Sequence, residues 1–234
     1  MNQDKTREIL AEIETGYDMV SGKFSETRKY FWRGLEFIGD YTKDGDSILD
    51  FGCGNGRLLE LMADKSIKYW GVDVSNSLIN LAQERYYSKD INFSKIDPRQ
   101  ISLPFEDNFF NAVYSIAVFH HLPSKKHRKD IIKELYRIAK PGGCVIITVW
   151  NLWQRKYIKN ILKNWMQKIA GKSSLDWNDA YIPFKDNWGK TFQRYHHAYT
   201  KGELADDFAG AGFVKKKVIG GRNIIFIGEK PLIV

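Results

Sequence analysis

The chain predicts an α/β domain: a mostly parallel sheet with helices on both faces and an antiparallel hairpin at its C-terminal end. Apolar runs of strand length alternate with helical patterns from Ser47 to Trp150, the pattern of βαβ units. A glycine-rich stretch, "LDFGCGNGR", joins the first strand to the first helix of that series. Two apolar runs around Gly220 and Gly221, "FVKKKVIGGRNIIFIGEK", read as a hairpin with a two-residue turn.

The expected strands are "SILDFG", "KYWGVDV", "INFSKID", "FFNAVYSIAVF" and "GCVIITVW", and the helices between them "GRLLELMADK", "NSLINLAQERYY" and "RKDIIKELYRIAK". Together they form a core over residues 45–150. Ahead of it, residues 1–44 predict a helical covering made of "KTREILAEIETGYDMV" and "SETRKYFWRGLEFIGDY", with Ser25 placed to cap the second helix. Residues 151–199 break the alternation. They open with an amphipathic helix in which Tyr157, Ile158, Ile161, Leu162, Trp165 and Ile169 share one face and Arg155, Lys156, Lys159 and Lys163 crowd the other. Residues 171–199 are expected to be irregular. Regularity returns in residues 200–234, where Thr200 and Glu203 give the T-x-x-E capping box at the start of "KGELADDFAGAG". The whole, 1–234, is expected to be one domain, in keeping with its length.

The formal charge of +8 is unevenly placed. Residues 1–150 hold 21 Lys and Arg against 21 Asp and Glu, and residues 151–234 hold 15 against 7. That clustering favours an anionic partner over a merely solvated surface. The two cysteines, Cys53 and Cys144, supply neither a disulfide framework nor a zinc ligand set, and no metal is expected. No apolar run approaches membrane-spanning length, and one basic amphipathic helix binds a membrane surface only marginally. A cytoplasmic protein with no membrane partner is the expectation.

The glycine loop has the spacing G-x-G-x-G, at Gly52, Gly54 and Gly56, where a dinucleotide site has G-x-G-x-x-G. Asp50 stands immediately before it, where a carboxylate opposes a pyrophosphate and suits an ammonium group. Two further acids end later strands: Asp73, placed for a ribose diol, and Asp97, placed to accept from an exocyclic amine. Ammonium, ribose and adenine without phosphate describe S-adenosylmethionine. Cys53, Asn55, Val74 and Ile116 lie in the same loop and strand ends and complete the expected cofactor contacts. Cys53 has no base patterned beside it, so it is not expected to act as a nucleophile.

With these residues in place, residues 45–150 and 200–230 resemble the class I S-adenosylmethionine-dependent methyltransferases, a Rossmann-like fold whose last strand is antiparallel. Methyl transfer from a sulfonium is an in-line displacement, and the acceptor decides what else is needed. Amines and hydroxyls lose a proton, whereas a carboxylate, with a pKa near ~4, is already ionised and needs a positioning cation. The sequence offers both types. His120 and His121, just past the fourth strand, suit either a general base or residues that fix a loop or touch the substrate. Arg194 with Tyr195, His196 and His197 supplies a cation among flat rings suited to an unpaired base.

The ordered stretches "FSETRKYFW", "GCGNGR", "SIAVFHHLP", "DAYIPF" and "RYHHAYTKGEL" further resemble the tRNA wobble-uridine carboxymethyl methyltransferases, which esterify 5-carboxymethyluridine in the anticodon loop. The resemblance implies that Arg28 helps hold the methionine end of the cofactor. It also implies that His120, His121, Trp150, Asp179, Arg194, Tyr195 and His196 line the acceptor pocket, and that a small zinc-binding activator protein is a partner. Three departures stand out: Asp179 to Phe184 lacks the family's D-x-x-V-P-W, Arg57 replaces a usual lysine, and "QKIAGKSSLDWN" has no counterpart. Two rival readings share the core motifs: a small-molecule O- or C-methyltransferase, and a non-catalytic RNA-binding or partner subunit.

Overall fold

Buried parallel strands have both faces to cover, so they read as nearly continuous apolar runs, and five such runs build the centre of this protein. The structure, a computed structural model, describes residues 1–28, 30–185 and 188–232. Strands β1 (Ser47–Phe51), β2 (Lys68–Asp73), β3 (Ile91–Lys95), β4 (Phe110–Ile116) and β5 (Ala139–Trp150) are mutually parallel. Strands β6 (Asp179–Lys185) and β7 (Thr191–His197) form a separate antiparallel pair. Strands β8 (Val214–Ile219) and β9 (Asn223–Glu229) complete the main sheet, whose order is β3-β2-β1-β4-β5-β9-β8. Strand β9 is inserted between β5 and β8 and is antiparallel to both.

The helices are α1 (Gln3–Glu26), α2 (Asn76–Arg85), α3 (Lys125–Ile138), α4 (Ile158–Ile169) and α5 (Lys201–Ala209). Alternate residues of the strands feed two cores. Leu49, Val113, Ile147 and Phe226 pack with α3 and α5 on one face, through Ile131, Leu135, Leu204 and Phe208. Ile48, Tyr114, Ile146 and Ile225 pack on the other with α2 and the turns around Ile38 and Leu58. Thr200 Oγ caps α5 by accepting from the Glu203 N–H at 3.1 Å, but the Glu203 carboxylate turns to His197 instead of closing the box.

Helix α1 is a lid built by one stripe. Ile9, Ile13, Gly16 and Val20 are buried on the same side, and a Cβ at Gly16 would collide with the Phe192 ring, so glycine permits close packing of α1 on β7. Asp18 fixes the lid to the start of α2, accepting from Ser75 Oγ at 2.7 Å and the Ser77 N–H at 3.0 Å.

Several expectations are corrected. The second N-terminal helix does not form: α1 runs on through Ser25, which therefore caps nothing, the chain turns at Gly34 with φ 85°, and only a short 3-10 segment, Glu36–Tyr41, follows. Residue 29, inside that expected helix and the motif around it, lies outside the described residues. "GRLLELMADK" yields a six-residue 3-10 helix, Arg57–Met62. Residues 171–199, expected to be irregular, contain the β6–β7 hairpin. On α4, Ile161 is buried, but Leu162 and Ile169 face solvent. The loop between β8 and β9 has three residues, Gly220 to Arg222.

Candidate active site

The carboxyl ends of the strands open into one cavity, and sheet order arranges what lines it. Reading from β3 to β5, the lining residues are Asp97, Asp73, Asp50, Ile116 and Trp150, with Arg194 reaching in from β7 and Leu10, Ile13, Tyr17, Phe24 and Arg28 from the lid. Gly52 takes φ 78°, and its missing Cβ leaves room for Val118. The turn is held by two bonds from the Gly52 and Cys53 N–H groups to the Val72 carbonyl, at 2.7 and 3.0 Å. Ala117 also has a positive φ, 62°, fixed by its N–H donating to Thr148, so the chain after β4 is held in a conformation that costs energy at the mouth of the site.

Asp50 is 2 % exposed. Its Oδ2 accepts from the Tyr69 hydroxyl at 2.7 Å, and Oδ1 has no partner. Burial pushes its pKa up to about 7, with Tyr69 opposing, and Asp73 adds to the rise. A buried carboxylate oxygen without a donor is costly, and an ammonium group in the cavity relieves that cost. Asp73 accepts from the Gly54 N–H through Oδ2 at 2.8 Å and from the Ser75 N–H through Oδ1 at 2.9 Å. Each oxygen keeps a lone pair for a diol. Burial raises its pKa against these bonds. Asp97 is different: its side chain is 44 % exposed and chelated by Arg99, at 2.9 and 2.6 Å. That hydrogen bonding holds its pKa down at about 2. The acids thus suit a ligand with a cationic end and a diol. Beside Asp97, Ile96, Pro98 and Ile131 add apolar lining suited to a flat base. Burial keeps the Cys53 thiol protonated, its pKa well above normal. Asn55 donates to Ser25 Oγ at 3.0 Å, tying the loop to the lid. Val74, Gly54 and Ile116 also line the cavity.

At the other end stand Arg194, Trp150, His121 and Tyr17. The Arg194 guanidinium lies 5.0 Å from the Trp150 ring and 4.8 Å from that of Phe184, and its Nε has no partner. Arg28 lies over Phe24 at 4.3 Å and beside Phe184 at 5.7 Å. His121 Nδ1 is 2.8 Å from the Tyr195 carbonyl and Nε2 is 2.7 Å from the Tyr17 hydroxyl. Burial, then the nearby Arg194, takes its pKa down to about 3.

Four expected pocket residues sit elsewhere. His120 and His196 are fully buried behind the lining, their rings parallel at 5.1 Å and both packed on Trp150. Tyr195 points away from Arg194, as neighbouring strand residues do, into a cluster with Ile9, Ile13 and Leu175. Asp179 is fully buried and accepts from His197 Nδ1 at 2.8 Å; Glu203 takes the opposite nitrogen at 2.8 Å, and Arg128 lies 3.2 Å away. This network fastens the hairpin to α3 and α5. Sequence reasoning missed Tyr17, Phe24 and Trp32, which line the cavity, and the stacking of Arg57 on Trp32 at 3.6 Å. Tyr17 had a signal: it lies four residues after Ile13 on the buried side of α1.

His120, His121 and His196 bring ring nitrogens within 4.8 Å of one another. Both nitrogens of His121 are already engaged, and burial, with the neighbouring rings and the Arg194 cation adding to it, lowers the basicity of all three rings. Such a set is poorly suited to a divalent metal.

Residues 49–147 match the family described as "Methyltransferase domain". An Arabidopsis thaliana protein named tRNA (carboxymethyluridine(34)-5-O)-methyltransferase is 36 % identical over 161 residues, 69 % of this chain and 37 % of that protein. The chain thus matches little more than a third of that relative's length. An Encephalitozoon cuniculi protein described as a methyltransferase is 30 % identical over 201 residues, 84 % of each chain. A crystal structure of a Methanosarcina mazei protein described as a SAM-dependent methyltransferase superposes with TM-score 0.69 at 23 % identity, covering 87 % of this chain and all of that one. A Haloferax volcanii methyltransferase solved in complex with the activator Trm112 gives TM-score 0.65 at 17 % identity, covering 94 % and 98 %.

Proposed function

The chain belongs to the class I S-adenosylmethionine-dependent methyltransferases, and from that premise we propose that it methylates the carboxylate of 5-carboxymethyluridine at the tRNA wobble position. One observation carries this reading: the acceptor end presents a guanidinium, and the histidine facing it has no free nitrogen with which to take a proton. An amine or hydroxyl acceptor needs such a base; a carboxylate does not. The name of the Arabidopsis relative supports the same acceptor.

The cofactor supplies an electrophilic methyl group on a sulfonium. Asp50 would take its ammonium group, Asp73 its ribose hydroxyls, and Arg28 its carboxylate. The chain then has one remaining task, alignment. Arg194 would bind the acceptor carboxylate, orient one of its oxygens for attack and partly neutralise its charge; orientation of this kind contributes ~7 kcal/mol or more. No proton needs to move. The excess positive charge of residues 151–234 would hold the RNA phosphates. We extend the reading to a partner: like the Haloferax neighbour, the chain would work with a small activator, tested by comparing solubility and turnover with and without one.

The test is Arg194→Ala. Transfer to carboxymethyluridine-containing tRNA should fall at least 100-fold, while S-adenosylmethionine affinity stays within about twofold. Unchanged turnover would remove the assignment. Turnover on small phenols or acids with no dependence on RNA would replace it with a small-molecule enzyme.

A further inference from the structure

We infer that Tyr17, on the N-terminal lid, is a positioning residue for Arg194, and that His121 sets the direction of its hydroxyl. The inference rests on the reading that Arg194 holds the acceptor carboxylate.

The polarity follows from one carbonyl. The Tyr195 carbonyl oxygen, 2.8 Å from His121 Nδ1, can only accept, so Nδ1 carries the ring proton. The imidazole is buried and neutral, which leaves Nε2 as a bare acceptor. The group 2.7 Å from Nε2 is the Tyr17 hydroxyl, which must therefore donate. The phenol has one proton and it is now committed. Its oxygen retains only lone pairs for the cavity, which the guanidinium groups of Arg194 and Arg28 also line.

The inferred relay has one direction: Arg194 would donate to Tyr17, while Tyr17 donates to His121 and His121 to the backbone of Tyr195, the residue next to Arg194 on β7. The relay closes on its own strand, which ties the guanidinium to the backbone that carries it. Tyr17 and His121 also meet edge to face, with ring centres 5.5 Å apart, so ring packing as well as hydrogen bonding holds the hydroxyl. His121 is in this account neither the base nor a substrate contact. With the lid displaced, Arg194 loses its acceptor; the helix that covers the cofactor also completes the acceptor site.

The experiment measures binding of two short anticodon-loop RNAs, one with 5-carboxymethyluridine and one with uridine, to the cofactor-loaded protein by fluorescence anisotropy. The ratio of their affinities isolates recognition of the carboxylate. In the wild type the modified RNA should bind at least tenfold tighter. Tyr17→Phe should reduce that preference to about threefold or less with S-adenosylmethionine affinity within twofold of normal, and Arg194→Ala should abolish it. Tyr17→Phe should cause no further loss in the Arg194→Ala background, because both act on one contact. His121→Asn keeps a donor for the Tyr195 carbonyl but removes the acceptor for Tyr17, so it should reproduce Tyr17→Phe; it stands in should that variant fail to fold. A preference that depends on Arg194 but survives both Tyr17→Phe and His121→Asn would overturn the inference and leave the proposed function intact. A wild type with no preference would overturn the proposed function, and the inference with it.

Discussion

The proposed contact between Asp50 and the cofactor's ammonium group would make binding a proton-linked event. In the free protein burial holds its pKa at about 7, some three units above the ordinary value of 3.8, which corresponds to ~4 kcal/mol disfavouring the charged form. An ammonium group needs the carboxylate. At pH 5.5 the proton must first leave, so affinity for S-adenosylmethionine should be roughly 30-fold lower than at pH 7.5, tenfold for each unit below the pKa. Above about pH 8 the α-amino group itself loses its charge, so the profile should peak between the two values. Isothermal titration from pH 5.5 to 8.5, in buffers of different ionisation enthalpy, gives both affinity and protons released. About one proton should leave per cofactor bound at pH 6, and none near pH 7.5, where the profile peaks. Asp50→Asn should bind weakly without the acidic limb. A flat affinity over pH 5.5 to 7.5, with no proton released, would refute the placing of the ammonium group against Asp50.

The remaining predictions concern stability. Between pH 3.8 and about 7 native Asp50 keeps a proton that the unfolded chain has lost, so the free protein should lose stability as pH rises through this window, by up to ~4 kcal/mol; Asp50→Asn should flatten that part of a pH series of urea melts. Gly52→Ala forces a side chain onto φ 78° and against Val118, and should cost about 2 kcal/mol or more in the same assay together with most cofactor binding. Asp179→Ala removes a fully buried carboxylate from His197 and should cost ~3 kcal/mol by thermal melting. It should leave the preference for carboxymethyluridine unchanged in correctly folded protein, because Asp179 does not line the cavity.

The end of the cavity built by β1, β2 and β3 was legible because its signals are local. Asp50, Asp73 and Asp97 each follow a run of strand pattern, and in a parallel sheet such ends converge; three short stretches therefore locate a cavity that no one of them defines. Asp97 shows the limit, since the arginine two residues on captures both of its oxygens. The end around Arg194 and Trp150 was less legible. In β7, Arg194, Tyr195, His196 and His197 are all buried, so the C-terminal half of the strand shows no alternation, and Pro183 interrupts the pattern of β6. Asp179 was read as a substrate contact because its motif is shared, whereas its register opposite His197 turns it into a brace. Tyr17 depends on a partner 104 positions away, a distance that periodicity cannot bridge. The second expected helix failed for a local reason: Gly34 adopts a left-handed turn and the flanking aromatic residues pack as a cover over Arg57 and the 3-10 segment.

The chemical stability of the product distinguishes a carboxylate acceptor from an amine, carbon or hydroxyl. Incubate the protein, with its activator if one is required, with methyl-labelled S-adenosylmethionine and tRNA carrying 5-carboxymethyluridine, then expose the purified RNA to mild alkali. A methyl ester hydrolyses under those conditions, so the label should leave as volatile methanol. Label that stays on the RNA after alkali would mark an N-, C- or ether O-methyl group and contradict the assignment of a carboxylate acceptor held by Arg194.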